Sequence, residues 1–159
     1  MTTVALGLPT RRVPDAAASA PGRPEAAGGA LIDTFGRVAR DLRVSVTDRC
    51  NLRCTYCMPA EGLDWMDSAE LLSTDELVRV LTVAVRDLGV HRIRFTGGEP
   101  LLRRDLEEII ARMAALPQRP ELAMTTNGLG LTRRARGLVD AGLDRINVSL
   151  DTCLLYTSP

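Results

Sequence analysis

The sequence predicts an α/β chain of short parallel strands joined by helical crossovers, and three observations predict it. From Leu42 onward, short runs with an apolar residue at every second position alternate with stretches whose apolar residues recur at helical spacing. The helical stretches carry start and stop signals of their own. The chemically unusual residues all fall just after the strand-like runs, on the edge where parallel sheets and (β/α) barrels build their sites.

Leu42, Val44 and Val46 make the first strand. Ser73-Thr74-Asp75-Glu76 is a capping box, and Leu77, Val80, Leu81, Ala84 and Leu88 form the apolar face of the helix it opens, closed by Gly89. Arg92 to Thr96 reads as a second strand. Leu106, Ile109, Ile110 and Met113 stripe a second helix that Pro117 stops, and Glu121 to Thr125 is a third strand. Thr132 is the expected cap of a third helix that buries Ala135, Leu138 and Val139 and ends at Gly142. Ile146, Val148 and Leu150 alternate as a fourth strand, giving four strands and three helices.

Residues 1–30 contain 16 Ala, Gly or Pro and no period of two or 3.6, so they are expected to form a disordered leader. Arg11-Arg12 is not followed by the hydrophobic stretch that an export signal needs. Residues 31–152 are expected to form the folded part. Cys153-Leu154-Leu155-Tyr156-Thr157-Ser158-Pro159 resembles a translated adaptor, so 153–159 is expected to be a non-native tail.

Twenty basic residues, all arginine, balance 20 acidic ones. That balance gives no electrostatic case for a nucleic-acid or membrane partner. No apolar run approaches the roughly 20 residues that span a bilayer. The expected location is the cytoplasm.

Three of the four cysteines fall within Cys50-Asn51-Leu52-Arg53-Cys54-Thr55-Tyr56-Cys57, directly after the first strand. Three thiolates on one loop can wrap a metal centre. A four-iron cluster usually takes four cysteines, so a triad leaves one iron without a protein ligand. Zinc would need a fourth ligand, and the only histidine, His91, stands at the start of the second strand, at the opposite edge of the sheet. Arg49, Asn51, Arg53 and Thr55 make the stretch too polar for a core segment.

A C-x3-C-x2-C triad with an aromatic before its last cysteine, followed after the next strand by Gly97-Gly98-Glu99-Pro100, resembles the radical S-adenosylmethionine (radical SAM) superfamily. Asp33-Thr34-Phe35-Gly36-Arg37, the stretch from Leu42 to Asn51, Cys57-Met58-Pro59, Arg94 to Arg103, Thr125-Thr126-Asn127-Gly128 and Asn147-Val148-Ser149-Leu150-Asp151 together resemble the GTP 3′,8-cyclase family of molybdenum cofactor biosynthesis.

The resemblance implies an incomplete (β/α) barrel of the radical SAM type. It implies a [4Fe-4S] cluster on Cys50, Cys54 and Cys57 that binds and reductively cleaves S-adenosylmethionine, with an electron donor as partner. It implies S-adenosylmethionine contacts at Tyr56, Gly98 and Ser149 and GTP contacts at Arg43, Arg94 and Thr125; the Glu99 carboxylate is placed where it could accept from the methionine ammonium. A second [4Fe-4S] cluster is expected only in a C-terminal region beyond the residues given, so the intact parent is expected to act on GTP and the present residues alone are not. A homodimer, or association with the next enzyme of the pathway, is compatible with it.

Plainer readings stand beside these roles. Gly97-Gly98-Glu99-Pro100 also reads as a turn whose proline starts a helix, Tyr56 as packing, Ser149 as an outward-facing strand residue, and both arginines as solvated. Another radical SAM enzyme, such as a peptide-modifying maturase, and a zinc-binding module are the alternative functions.

Overall fold

The computed structural model describes residues 29–150 apart from Met58, Ala60 and Ser68. The expected leader, except Gly29 and Ala30, and the expected tail lie outside the described residues, as do Asp151 and Cys153. Four parallel strands, β1 (Asp41–Ser45), β2 (Arg92–Thr96), β3 (Glu121–Thr126) and β4 (Arg145–Val148), lie side by side in chain order. The crossovers carry α1 (Thr74–Arg86), α2 (Leu106–Ala114) and α3 (Leu131–Asp140), and a single 3-10 turn at Pro100–Leu102 precedes α2.

Registers settle the two faces of the sheet, because side chains alternate along a strand and in-register neighbours point the same way. Leu42, Ile93 and Leu122 are neighbours in one row, and Val44, Phe95, Met124 and Ile146 in the next. This face packs against Leu77, Leu81 and Val85 of α1, Ile109, Ile110 and Met113 of α2, and Leu138 of α3 to form one core. All three helices therefore cover the same face, as in a barrel wall.

The opposite face is polar. Arg92 bridges Asp41 at 2.9 Å and Glu121 at 2.7 Å, and Arg145 reaches Glu121 at 3.2 Å, so alternating charges tie the strands together toward their N-terminal ends. Arg43, Arg94, Ala123 and Arg145 form the next row, and Ser45, Thr96, Thr125 and Asn147 are the side chains nearest the C-terminal edge.

α1 begins at Ser73 with both halves of the capping box made. Its buried stripe is Leu77, Val78, Leu81, Ala84 and Val85, whereas Val80, expected inside, is exposed. Val78 and Val85 lie on the side of Leu81 away from Val80, and the helix rotates to bury that pair instead. α3 starts at Leu131 after Gly130, so Thr132 sits inside its first turn and is not its cap. It buries only Leu138. Ala135 is half-buried and Val139 is exposed, as are Val148 and Leu150, because β4 is the last strand among the described residues and no further described element covers its outer side.

Three partly buried carboxylates brace the crossovers. Asp105 accepts from Arg103 and from Thr74 at the start of α1; Glu107 pairs with Arg134 of α3; Asp144 accepts from Arg119 at 2.7 Å and from the Leu122 amide at 2.8 Å. Burial pushes each carboxyl up, but these donors outweigh it and hold all three below the ordinary carboxylate range.

Each group binds its proton less readily when folded, so its stabilisation is present above the unfolded value and is lost as pH falls through the folded one. Urea midpoints should be level from about pH 7 to about pH 5 and decline as pH falls below about 4, near the unfolded carboxylate values. Asp105→Asn should flatten part of that acid decline.

Candidate functional site

The C-terminal edge of the sheet gathers three loops, and backbone hydrogen bonds extend the β1·β2 ladder beyond the strands themselves. Val46 N–H donates to Thr96 O at 3.0 Å, Gly98 N–H to Thr47 O at 2.8 Å, and Glu99 N–H to Arg49 O at 2.8 Å. The approach is so close that glycine is required. A Cβ at Gly97, whose φ is +126°, would lie 2.2 Å from Thr47 O, and one at Gly98 would lie 2.2 Å from Arg49 O. The Cβ side of Gly98, an implied S-adenosylmethionine contact, is occupied by the backbone that leads into the cysteine loop.

Glu99 is 1% exposed. Its Oε1 accepts from Leu101 N–H at 2.9 Å and from Thr126 Oγ1 at 2.7 Å, and its Oε2 accepts from Asn127 N–H at 2.8 Å. Three donors compensate the burial of the carboxylate, and they join the end of β2 to the end of β3. A carboxylate has about four acceptor sites, so one on Oε2 stays open.

Asn127 Oδ1 accepts from Leu129 N–H at 2.9 Å, and its Nδ2 donates to Asn51 Oδ1 at 2.8 Å, reaching the cysteine loop. Arg103 is the other organiser. Its guanidinium donates to Val46 O at 2.8 Å and to Leu72 O at 2.9 Å, fastening the end of β1 to the approach to α1. Arg134 of α3 donates to Leu101 O and Arg103 O, at 2.6 and 2.8 Å. Sequence reading gave no role to Asn51, Asn127, Arg103 or Arg134. Asn51, Asn127 and Arg103 stand in or near a motif, but nothing in the sequence marks their partners, and Arg134 carries no local signal at all.

Cys50 and Cys54 are half-buried, Cys57 is exposed, and none is in a disulfide. Cys50 Sγ accepts from Leu52 N–H at 3.5 Å, and Cys57 N–H donates to Cys54 O at 3.0 Å. The three thiols share one loop, yet among the described residues no three His, Cys, Asp or Glu side chains converge as a ready metal site. The donor set nevertheless suits an iron-sulfur cluster: three free thiols on one short loop whose root is zipped to the sheet. His91 stands at the far end, where its backbone N–H donates to Arg40 O, which leaves zinc without an imidazole ligand here.

Arg43 and Arg94 are in-register neighbours on the polar face, Arg43 exposed and Arg94 half-buried, and neither guanidinium has an ion-pair or hydrogen-bond partner among the described residues. Thr125 lies nearer the cysteine edge on the same face, and its Oγ1 is buried without a partner. Ser149 is exposed and extends the β3·β4 ladder by donating its N–H to Thr126 O at 2.8 Å. Tyr56 is exposed beside the last cysteine. Asp48 Oδ2 accepts from Met66 N–H at 2.6 Å, while its Oδ1 is buried and unpartnered.

Residues 44–154 match the family described as the radical SAM superfamily. Over 96% of this chain, the sequence is 61% identical to a GTP 3′,8-cyclase of Mycobacterium sp. (strain KMS) and 62% identical to one of Mycolicibacterium smegmatis, covering 41% and 42% of those proteins. The chain thus spans about two fifths of the length of the curated relatives it matches. Among solved structures, BtrN in an open conformation superposes with a TM-score of 0.53 at 28% identity, covering 70% of this chain and 50% of that one. BtrN in complex with AdoMet and 2-DOIA gives 0.52 at 25% identity, covering 70% of this chain and 46% of that one.

Gly98→Ala tests the close approach. The added Cβ must push Arg49 away, so the Glu99 amide should exchange with solvent about tenfold faster or more, an opening eased by about 1.4 kcal/mol. Unchanged protection of that amide would contradict the packing described.

Proposed function

This chain belongs to the radical SAM superfamily, and from that premise we propose that it is part of a GTP 3′,8-cyclase, which converts GTP to 3′,8-cyclo-7,8-dihydro-GTP on the way to molybdopterin. The observation that carries the substrate is the pair Arg43 and Arg94. Like charges directly opposite on neighbouring strands are destabilising, and here, unlike Arg92 between Asp41 and Glu121, neither has an anion beside it. A triphosphate supplies what the pair lacks, since a guanidinium offers parallel donors matched to phosphate oxygens.

Family membership brings a [4Fe-4S] cluster and S-adenosylmethionine with it. Cys50, Cys54 and Cys57 would hold the cluster, which when bound supplies the electron that cleaves S-adenosylmethionine and starts radical chemistry. This chain's own residues do the rest. Gly98 and Ser149 offer backbone or hydroxyl groups at the strand ends, Tyr56 stands beside the last thiol, and the open acceptor site on Glu99 suits an ammonium group.

Thr125, with its unpartnered hydroxyl between the arginines and the cysteine edge, suits a ribose or base contact of the nucleotide. The second cluster would draw its ligands from residues beyond these. The electron donor and any homodimer belong to the whole enzyme, and three free cysteines fit a reducing cytoplasm. Among the described residues no helix is long and apolar enough to cross a membrane.

Two measurements test this. After anaerobic reconstitution with iron and sulfide, Cys54→Ala should lose the iron-sulfur absorbance that the unaltered chain acquires; retention of full absorbance would remove Cys54 from the cluster. In a full-length enzyme carrying these residues, Arg94→Ala should weaken GTP binding about tenfold or more, the value of a charged hydrogen bond, while S-adenosylmethionine cleavage without substrate persists. Equal GTP affinity would take Arg94 out of the site.

A further inference from the structure

Of the three residues between Cys50 and Cys54, only Asn51 makes a hydrogen bond outside the loop among the described residues, through its side chain to Asn127. That bond closes a circuit. From the cysteine loop, Arg49 O accepts from Glu99 N–H at 2.8 Å; Glu99 Oε2 accepts from Asn127 N–H at 2.8 Å; and Asn127 Nδ2 returns to Asn51 Oδ1 at 2.8 Å. The circuit starts and ends on either side of Cys50 and crosses the ends of three strands.

The orientation of the Asn127 amide is fixed from within. Its Oδ1 is taken by Leu129 N–H at 2.9 Å, so the nitrogen faces the cysteine loop. Asn51, whose amide has no other partner among the described residues, supplies the matching oxygen.

We propose that Asn51 and Asn127 are a positioning pair that fixes Cys50 relative to the sheet edge, so that the first cluster ligand is presented from a set point while Cys54 and Cys57 follow on the turn. This rests on the reading of the three cysteines as cluster ligands. Both asparagines are positioning residues that act through Cys50.

The test uses the charge pattern that the circuit dictates. Asn51→Asp keeps the acceptor that Asn127 Nδ2 needs. Asn127→Asp keeps the acceptor for Leu129 N–H, and the Asn51 amide can turn its nitrogen toward it. Only the double variant, Asn51→Asp with Asn127→Asp, sets two carboxylates opposite one another with no proton donor between them.

In the 159-residue chain reconstituted anaerobically, both single variants should release iron to a chelator at the rate of the unaltered chain, and the double variant about tenfold faster, the scale found when groups supporting a metal ligand are removed. In the metal-free chain, alkylation followed by mass spectrometry should show Cys50 reacting faster in the double variant alone, with the exposed Cys57 unchanged and far-UV circular dichroism confirming that the fold persists.

A double variant that matches the unaltered chain in both measurements overturns the proposal, as does a single variant as impaired as the double. If the unaltered chain takes up no more iron than Cys54→Ala does, the cluster reading fails, whereas the alkylation pattern still decides whether the pair holds Cys50.

Discussion

The site edge depends on one buried carboxylate. Glu99 collects the amides of Leu101 and Asn127 and the hydroxyl of Thr126, so the turn after β2 and the turn after β3 share an acceptor that neither can abandon without leaving a charge buried and unpaired. Gly97 and Gly98 let the cysteine loop come within backbone hydrogen-bonding distance of the same turn. A longer side chain at Gly98 or a shorter one at Glu99 would therefore disturb all three loops together. A motif of four residues behaves as a structural joint first, and whatever it offers a ligand is built on that joint.

The strand pattern was legible in the sequence because a residue's face follows from its parity once the first strand is placed. Leu42, Ile93, Leu122 and Ile146 had to share a side, and their neighbours Arg43, Arg94 and Arg145 had to share the other. The capping box at Ser73 was legible for a similar reason: its two reciprocal hydrogen bonds need only residues three apart.

Helix rotation was less legible. Val78 and Val80 are equally apolar, and only the position of α1 against the sheet decides that Val78 is buried and Val80 is not. The third helix differs from its sequence pattern at Thr132 and Val139 because Gly130 starts it earlier and because, among the described residues, the last strand has no neighbour to complete a pocket for Val139. The candidate ligands at Cys50, Cys54 and Cys57 could be read from spacing, whereas Asn51, Asn127, Arg103 and Arg134 could not. Their partners are carbonyls, amides and carboxylates as many as 76 residues away in the chain, and nothing in local sequence marks such a pairing.

The polar face changes character along the strands, and that gradient bears on how a nucleotide would lie. At the N-terminal ends Arg92 sits between Asp41 and Glu121, and Arg145, from the row above, reaches back to Glu121, so these four charges neutralise one another and the floor of the face has no net demand for a counter-ion. One row higher, Arg43 and Arg94 carry charge that no described residue answers. Nearer the edge the side chains are hydroxyls and an amide, Thr125 among them with an unused oxygen, and beyond these come the thiols.

An elongated ligand with an anionic end and a hydroxyl-rich middle meets complementary groups in that order only if its charge lies deep and its remaining end points toward Cys50. In the reverse orientation the phosphates would sit by the half-buried Asp48 and buried Glu99 carboxylates, leaving the two arginines facing each other without an anion. The order of these rows would thus impose a direction on such a ligand, before any contact from residues beyond these is counted.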